Sequence, residues 1–326
     1  MPHRWDPVAP PVAGLVAPAR VDPTGRAGPT RKQARGPGWR RTSPGLFVPA
    51  TVTDGCVEQR ILEAYARTGD RAVVTGWAAL RLQGAGFFDG LARDGANHLP
   101  VPLAANGERL ATGHGAEVVE DRIPPDEVVV VHGIRCTTVE RALYDEMQRI
   151  GEVREMAVAV GSACAARLIS VGRMRLYAAT RRWYRDVRLV KEAIEMAHEG
   201  CRSPQEHRFA LIWEHDARWN RPLVNQPIYD LDGRFVATPD LLDPVRGVAG
   251  EYAGADHRSL DQHALDIARE ADLRDVGLEY VEVVGRDLRE RWPVVRRMKR
   301  AAERAVHLER RWQLGPAGQL LDRRDT

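Results

Sequence analysis

Two carboxylates stand out in the segment PDLLDPVRGVAGEYAGADHR, residues 239–258. Asp240 follows a proline, and Glu251 comes after ten intervening residues, inside an apolar run between two glycines. A buried carboxylate is costly unless a cation or hydrogen-bond donors meet it. A third acid, Glu206, stands in the first turn of an earlier predicted helix. These three positions therefore predict a pocket with a cation in it.

Carboxylate oxygens are the ligands that Mg²⁺ and Mn²⁺ prefer, and these ions keep further positions for water and phosphate. A strand through Glu251 would point its side chain to the same face as that of Ala253, and Asp240 would approach it from the preceding strand. We therefore expect Asp240, Glu251 and Glu206 to be metal ligands, with Mg²⁺ or Mn²⁺ as the cofactor. Such an ion polarises a phosphodiester and supplies hydroxide.

Residues 203–288 resemble the PD-(D/E)XK nuclease superfamily, in its branch related to the very-short-patch-repair endonucleases. The resemblance rests on SPQE at 203–206, PD at 239–240, EYAG at 251–254, Asp256-His257 and DIAREADLRDVGL at 266–278. It implies a metal-dependent DNA endonuclease with a mixed sheet. The catalytic residues that it implies are Glu206, Asp240, Glu251 and His257.

Position 253 departs from that resemblance. The superfamily has a lysine two residues after the glutamate and the branch usually has EYDG, whereas this chain has Ala253. A methyl group can neither orient water nor stabilise charge. Either His257, Arg258 or His263 has taken a supporting role, or the site is weakened.

The elements that must position these acids are readable from local signals. Ser203 is an expected N-cap with Pro204 at the first helical position, and Asp232-Gly233 is typical of a hairpin turn. The predicted order is helix, strands with the acids, helix, strand, and a cationic helix. This α/β domain of restriction-endonuclease type is expected over residues 201–312, with a flexible tail over 313–326.

The first half of the chain predicts a different module. Residues 56–67 and 75–83 have helical periodicity, residues 99–135 contain short β-branched runs, and TTVERALYDEMQRI returns to helix, with Thr137 and Glu140 spaced as a capping box. Residues 52–147 resemble AbiEi-type antitoxins, which implies a winged-helix DNA-binding region and a cognate toxin partner. On that resemblance Arg81 and Gln83 are the expected DNA contacts.

The overall prediction is an α+β chain. Its domains are an AbiEi-like, winged-helix-type domain over 46–150, a helical connector over 151–200 and the nuclease-like domain. Residues 1–45 are rich in proline and glycine, which predicts a disordered leader. The first 50 residues hold eight Lys or Arg against two Asp, a net charge of +6, so the rest of the chain has −3 of the total of +3. This segment is either a solvated tail or a basic arm that adds affinity for nucleic acid.

Four well-separated cysteines form no CxxC pattern, so neither a zinc site nor a disulfide framework is expected, and a reducing cytoplasm is the simplest setting. No apolar run is long enough to cross a bilayer, which predicts no membrane partner. Three functions remain open. They are a Mg²⁺-dependent endonuclease in a toxin–antitoxin or DNA-defence context, a catalytically inactive AbiEi-like regulator that binds DNA, and a protein-interaction scaffold.

Overall fold

A computed structural model describes residues 6–9, 14–53, 55–181, 186–254 and 269–315. These residues form helices and several sheets, so the prediction of an α+β chain is confirmed. The chain divides into two compact units, Met1–Glu195 and Met196–Thr326. The division lies close to the boundary expected at residue 200.

The first unit begins with a small antiparallel sheet. Its strands, in the order β1-β3-β2, are β1 (Ala19–Arg20), β2 (Trp39–Ser43) and β3 (Leu46–Pro49). The prediction that residues 1–45 are disordered is therefore wrong for the described part of that range. The reason is a set of contacts distant in sequence. The Arg40 guanidinium donates to the Glu63 carboxylate at 2.6 and 3.0 Å, and the Gln59 amide exchanges two hydrogen bonds with the backbone of Val16.

A five-stranded mixed sheet follows, with the order β6-β5-β4-β8-β7. Val74 of its central strand is aligned in parallel with Cys136 of the next. The strands are β4 (Val73–Val74), β5 (Val101–Ala104), β6 (Ala116–Val119), β7 (Val128–Val131) and β8 (Ile134–Thr137), and the helices that accompany them are α1 (Val57–Ala66), α2 (Gly76–Leu82) and α3 (Val139–Ile150).

The predicted capping box at Thr137 is wrong. Thr137 is the last residue of β8, and α3 begins at Val139 with Thr138 as its N-cap, which makes no side-chain cap. The Thr137 hydroxyl instead lies 3.2 Å from that of Thr75. The spacing of Thr137 and Glu140 alone therefore does not distinguish a helix N-cap from the last residue of a strand.

Helices were predicted throughout residues 151–200, and the described residues confirm them. They are α4 (Val153–Ala165), α5 (Val171–Thr180) and α6 (Val187–Met196). Glu152 caps α4 by accepting the backbone N–H groups of Arg154 and Glu155, and the Ser170 hydroxyl caps α5.

The second unit is built on a four-stranded mixed sheet in the order β14-β13-β12-β9. Neighbouring strands are antiparallel except β13 and β14, which are parallel. The elements in chain order are α7 (Pro204–Leu211), which continues into a π-helical turn (Ile212–Asp216), then β9 (Leu223–Val224), β10 (Ile228–Asp230), β11 (Phe235–Ala237), β12 (Leu241–Asp243), β13 (Val248–Ala253), α8 (residues 269–275), β14 (Glu279–Val284), α9 (Arg291–Ala305) and β15 (Trp312–Leu314).

The hairpin at Asp232-Gly233 is confirmed, because β10 and β11 pair on either side of it. β15 pairs with the other edge of β10, so the chain is still part of a sheet at residues 313 and 314, where a flexible tail was expected.

Both faces of the four-stranded sheet are covered. Phe209, Trp213 and Trp219 pack on one face together with the buried side of α9. Leu273 and Trp312 lie in the cluster on the other face. Gly250 is required on the first face, because a Cβ there would lie 2.7 Å from a ring carbon of Phe209. The sheet is thereby held at a fixed distance from α7.

Within the described part of the chain, no helix combines the length and the apolar composition that crossing a bilayer requires.

Candidate functional site

Asp240 and Glu251 come together at the end of the four-stranded sheet. The register of β12 and β13 places Leu241 opposite Gly250, and continuing that register by one residue brings Asp240, just before β12, next to Glu251 of β13. Directly opposed residues on antiparallel strands have Cβ atoms about 4.5–5.5 Å apart and share a face.

Asp240 is held by the strand that it faces. Its Oδ2 accepts a hydrogen bond from the backbone N–H of Tyr252 at 2.8 Å. The side chain thus replaces a main-chain acceptor where the ladder ends, and the carboxylate is fixed in orientation beside Glu251.

Glu251 makes an ion pair with an arginine from α8. Both of its carboxylate oxygens accept from Arg269 Nη1, at 3.0 and 3.2 Å. The Glu251 side chain is 13% exposed and that of Arg269 is 37% exposed, so the carboxylate is the more buried partner. The arginine neutralises a charge that would otherwise be costly at this depth.

Glu206 combines two roles at the start of α7. Its backbone N–H donates to the Ser203 hydroxyl at 3.2 Å, and its Oε2 accepts from the backbone N–H of Arg202 at 2.8 Å. This is a helix cap. The same oxygen also accepts from Asn225 Nδ2 at 3.1 Å, which ties the cap to the sheet.

Asn225 joins Glu206 to Asp240. It directly follows β9, and its backbone N–H donates to the Asp240 carbonyl at 3.0 Å while its side chain reaches Glu206 and the Gly200 carbonyl. Its φ of 49° is in the left-handed region, which Asn tolerates better than most residues. Sequence reasoning missed Asn225, although an Asn just after a short strand is a recognisable signal for such a turn.

The negative charges of Glu206 and Asp240 also affect the pKa of the Cys201 thiol. Burial raises the pKa of the Cys201 thiol well above its ordinary value, and these two carboxylates raise it further. The thiol is therefore protonated at neutral pH, which excludes it as a thiolate nucleophile.

Glu206, Asp240 and Glu251 do not form a complete metal-binding site. Among the described residues, no group of three or more His, Cys, Asp or Glu side chains has the arrangement of a metal site. Asp240 and Glu251 nevertheless both supply hard carboxylate oxygens, the donor type that a divalent cation with several waters takes. Glu206 is linked through Asn225 to the backbone carbonyl of Asp240.

Ala253 is aligned with Val284 of β14, so no charged group comes from position 253. The expected substitutes His257, Arg258 and His263 lie outside the described residues. The cation that the structure does bring to Glu251 is Arg269, which was not among the sequence candidates. Its identity depends on where α8 packs, and no local pattern reveals that.

Arg81 and Gln83 do not fit the expected role as DNA contacts. Arg81 is 7% exposed, and its guanidinium lies 2.5 Å from the Glu58 carboxylate and donates to the Gly86 carbonyl. The Gln83 amide donates to two backbone carbonyls, those of Ala79 and Thr137. Both side chains hold α2 in its own unit.

Comparison of the chain with protein-family models, with curated proteins and with solved structures finds no match. The chemistry of the site therefore rests on the geometry of Asp240, Glu251 and their neighbours.

Proposed function

We propose that the second unit is a divalent-cation-dependent phosphodiesterase that acts on DNA. The observation that supports this most is the register of β12 and β13, whose continuation brings Asp240 next to Glu251, a half-buried carboxylate paired with Arg269. Two opposed carboxylates on rigid strands are what a Mg²⁺ or Mn²⁺ site needs from the protein.

Each residue has a distinct task in this proposal. Asp240 and Glu251 hold the ion, which when bound polarises the phosphodiester and lowers the pKa of a water. The Tyr252 N–H fixes the orientation of Asp240, and Asn225 ties the Glu206 cap to the same sheet end. Arg269 lies against Glu251, where its guanidinium is placed to attract a phosphate and to offset charge that develops on it.

The sheet supports the resemblance to PD-(D/E)XK nucleases. A helix, antiparallel strands that carry the two acids, a second helix and a parallel strand follow one another in the order that the resemblance implies. On the same resemblance, the first unit would position the chain on DNA as an AbiEi-like, winged-helix-type module and would bind a cognate toxin.

A second candidate function is a regulator that binds DNA without cleaving it, as AbiEi-type antitoxins do. The absence of charge at Ala253 and the ion pair of Glu251 with Arg269 favour it, because a glutamate neutralised by arginine attracts a divalent cation less strongly.

A nicking assay tests the proposal. Supercoiled plasmid is incubated with the full chain and Mg²⁺ or Mn²⁺, and with the variants Asp240→Asn and Glu251→Gln. The matched control is Asp272→Asn, which changes an exposed carboxylate on α8. We expect nicking by the parent and the control, abolished by chelation and in both site variants. Equal nicking by all four proteins would show a contaminant, and duplex binding without nicking would favour the regulator.

A further inference from the structure

The last helix of the second unit presents an unusual solvent face. Its buried side consists of apolar residues such as Val294, Met298 and Ala301. Trp292, Arg296 and Lys299 are all exposed and are spaced i, i+4 and i+7, so they lie along one stripe. We call these three residues the α9 stripe.

Trp292 is the residue in the stripe that packing does not explain. It is 66% exposed, whereas the Trp residues 77, 213, 219 and 312 are all buried. Trp side chains offer a large flat apolar surface and are usually covered. An indole held in water between cationic neighbours indicates a ligand with both a flat face and negative charge.

The cations of the stripe are available for such a ligand. Arg291, Arg297 and Arg304 of the same helix pair with Asp216, Asp287 and Glu279. Arg296 and Lys299 have no acidic partner among the described residues, and neither has the neighbouring Arg300. The other arginines named are thus paired with acids of the fold, whereas Arg296, Lys299 and Arg300 are exposed to solvent.

The length of the stripe sets the size of its ligand. From Trp292 to Lys299 the helix rises roughly 10 Å, at 1.5 Å per residue. Phosphates of an unpaired, extended strand can lie farther apart than the roughly 3.4 Å per nucleotide of a duplex strand, so the stripe spans roughly two or three of them. Glu290 and Glu303 bound it at its two ends.

We propose that the α9 stripe binds single-stranded DNA, with Trp292 stacked on an unpaired base and Arg296 and Lys299 against the phosphates. Proteins that bind single-stranded nucleic acid commonly combine aromatic side chains that stack on bases with cationic side chains that contact phosphates. Bases within a duplex are already stacked and offer no free face to the indole. A membrane surface would need several apolar residues along the stripe, and Trp292 is its only one.

This inference rests on the proposed function only because it takes DNA as the partner. It adds that the DNA bound by the α9 stripe is single-stranded. Binding is measured in the presence of a chelator, so the result does not depend on a metal ion bound at Asp240 and Glu251.

The test uses the full chain, a fluorescein-labelled oligothymidylate and anisotropy at several salt concentrations. Trp292→Ala should weaken binding by roughly 5- to 100-fold, and Trp292→Phe by much less. Arg296→Glu with Lys299→Glu should weaken it and make the log–log salt slope shallower by about 1.4. The matched control is Arg188→Glu with Lys191→Glu, which makes the same charge change at exposed positions with the same i, i+3 spacing on α6 and should leave affinity within about two-fold.

Three results would overturn the proposal. One is an unchanged affinity in Trp292→Ala, and another is an equal loss in the Arg188 and Lys191 control, which would show only general electrostatics. The third is binding of polyglutamate, or of a duplex, as tight as that of the single strand and equally sensitive to Trp292, which would indicate an acidic protein or double-stranded DNA as the partner. Thermal midpoints that match the parent's keep all variants comparable.

Discussion

Asp240, just before β12, comes next to Glu251 of β13 when the antiparallel register of these strands is continued by one residue, although ten residues separate the two acids in the chain. The Tyr252 N–H donates to Asp240 at 2.8 Å, and Arg269 pairs with Glu251 at 3.0 Å. The pair is thus fixed from one side by backbone and from the other by a guanidinium.

Arg269→Met should separate cation binding from cleavage. Removing a positive charge beside Glu251 should tighten Mn²⁺ binding, by roughly five-fold, because guanidinium and metal compete for the same carboxylate. Cleavage should nevertheless slow, since the group nearest to a bound phosphate is lost. Calorimetry and the nicking rate are measured on the same preparation.

The control for that experiment is Arg274→Met. Arg274 is on the same helix and pairs with Glu270 at 2.8 Å, away from the two site carboxylates. It should change neither quantity. If Arg269→Met also leaves Mn²⁺ affinity and nicking unaltered, Arg269 serves only to fill space beside Glu251.

Asn225→Ala should destabilise the second unit by about 1–3 kcal/mol. The change removes the donor to Glu206 and Gly200, and it places an alanine at a φ of 49°. Asn225→Gly should be less harmful, because glycine relieves the backbone strain while losing the same hydrogen bonds. Hydrogen exchange followed on peptides from residues 197–254 localises the effect. Equal exchange in the parent and both variants would contradict the linking role of Asn225.

Local signals predicted the elements around the site well. Ser203, Pro204 and Glu206 mark the start of α7, because capping is decided within one helical turn, and Asp232-Gly233 marks a hairpin for the same kind of reason. The opposition of Asp240 and Glu251 could also be anticipated, since a short turn between two strands fixes their register.

Distant contacts could not be predicted in this way. Arg40 meets Glu63 across 23 residues, and this contact orders a leader whose composition indicates disorder. Arg269 reaches Glu251 only because α8 packs over β13, and the helical spacing of residues 75–83 does not show that Arg81 turns inward to Glu58. The sequence shows where a charged residue occurs, but not which distant residue pairs with it in the folded chain.

Arg141→Met should strongly destabilise the first unit. Arg141 is buried and its guanidinium contacts three carboxylates, those of Asp121, Glu127 and Asp145. Removing the cation leaves buried negative charge, which typically costs about 3–5 kcal/mol. Arg173→Met, which breaks an ion pair of an exposed arginine with Glu140, should cost less than about 1 kcal/mol. Similar losses in the two variants would contradict the structural role of Arg141.

The effect of Arg141→Met should depend on pH. Burial raises the pKa of the Asp145 carboxyl, and Arg141 opposes that rise. The folded chain therefore holds this proton more tightly than the unfolded chain, so the group's contribution to stability falls as pH rises through its folded-state pKa. Without Arg141 the pKa rises further. The destabilisation should thus be largest at neutral pH and smaller in acid, as thermal midpoints over a pH series would show.

The measurement that bears most directly on the site is calorimetric titration of the full chain with Mn²⁺. The parent and Asp272→Asn should bind one ion per chain with the same affinity, whereas Asp240→Asn and Glu251→Gln should each lose at least about ten-fold, because each removes a direct ligand. Binding of equal strength by all four proteins, or no binding by the parent, would contradict a shared cation between Asp240 and Glu251.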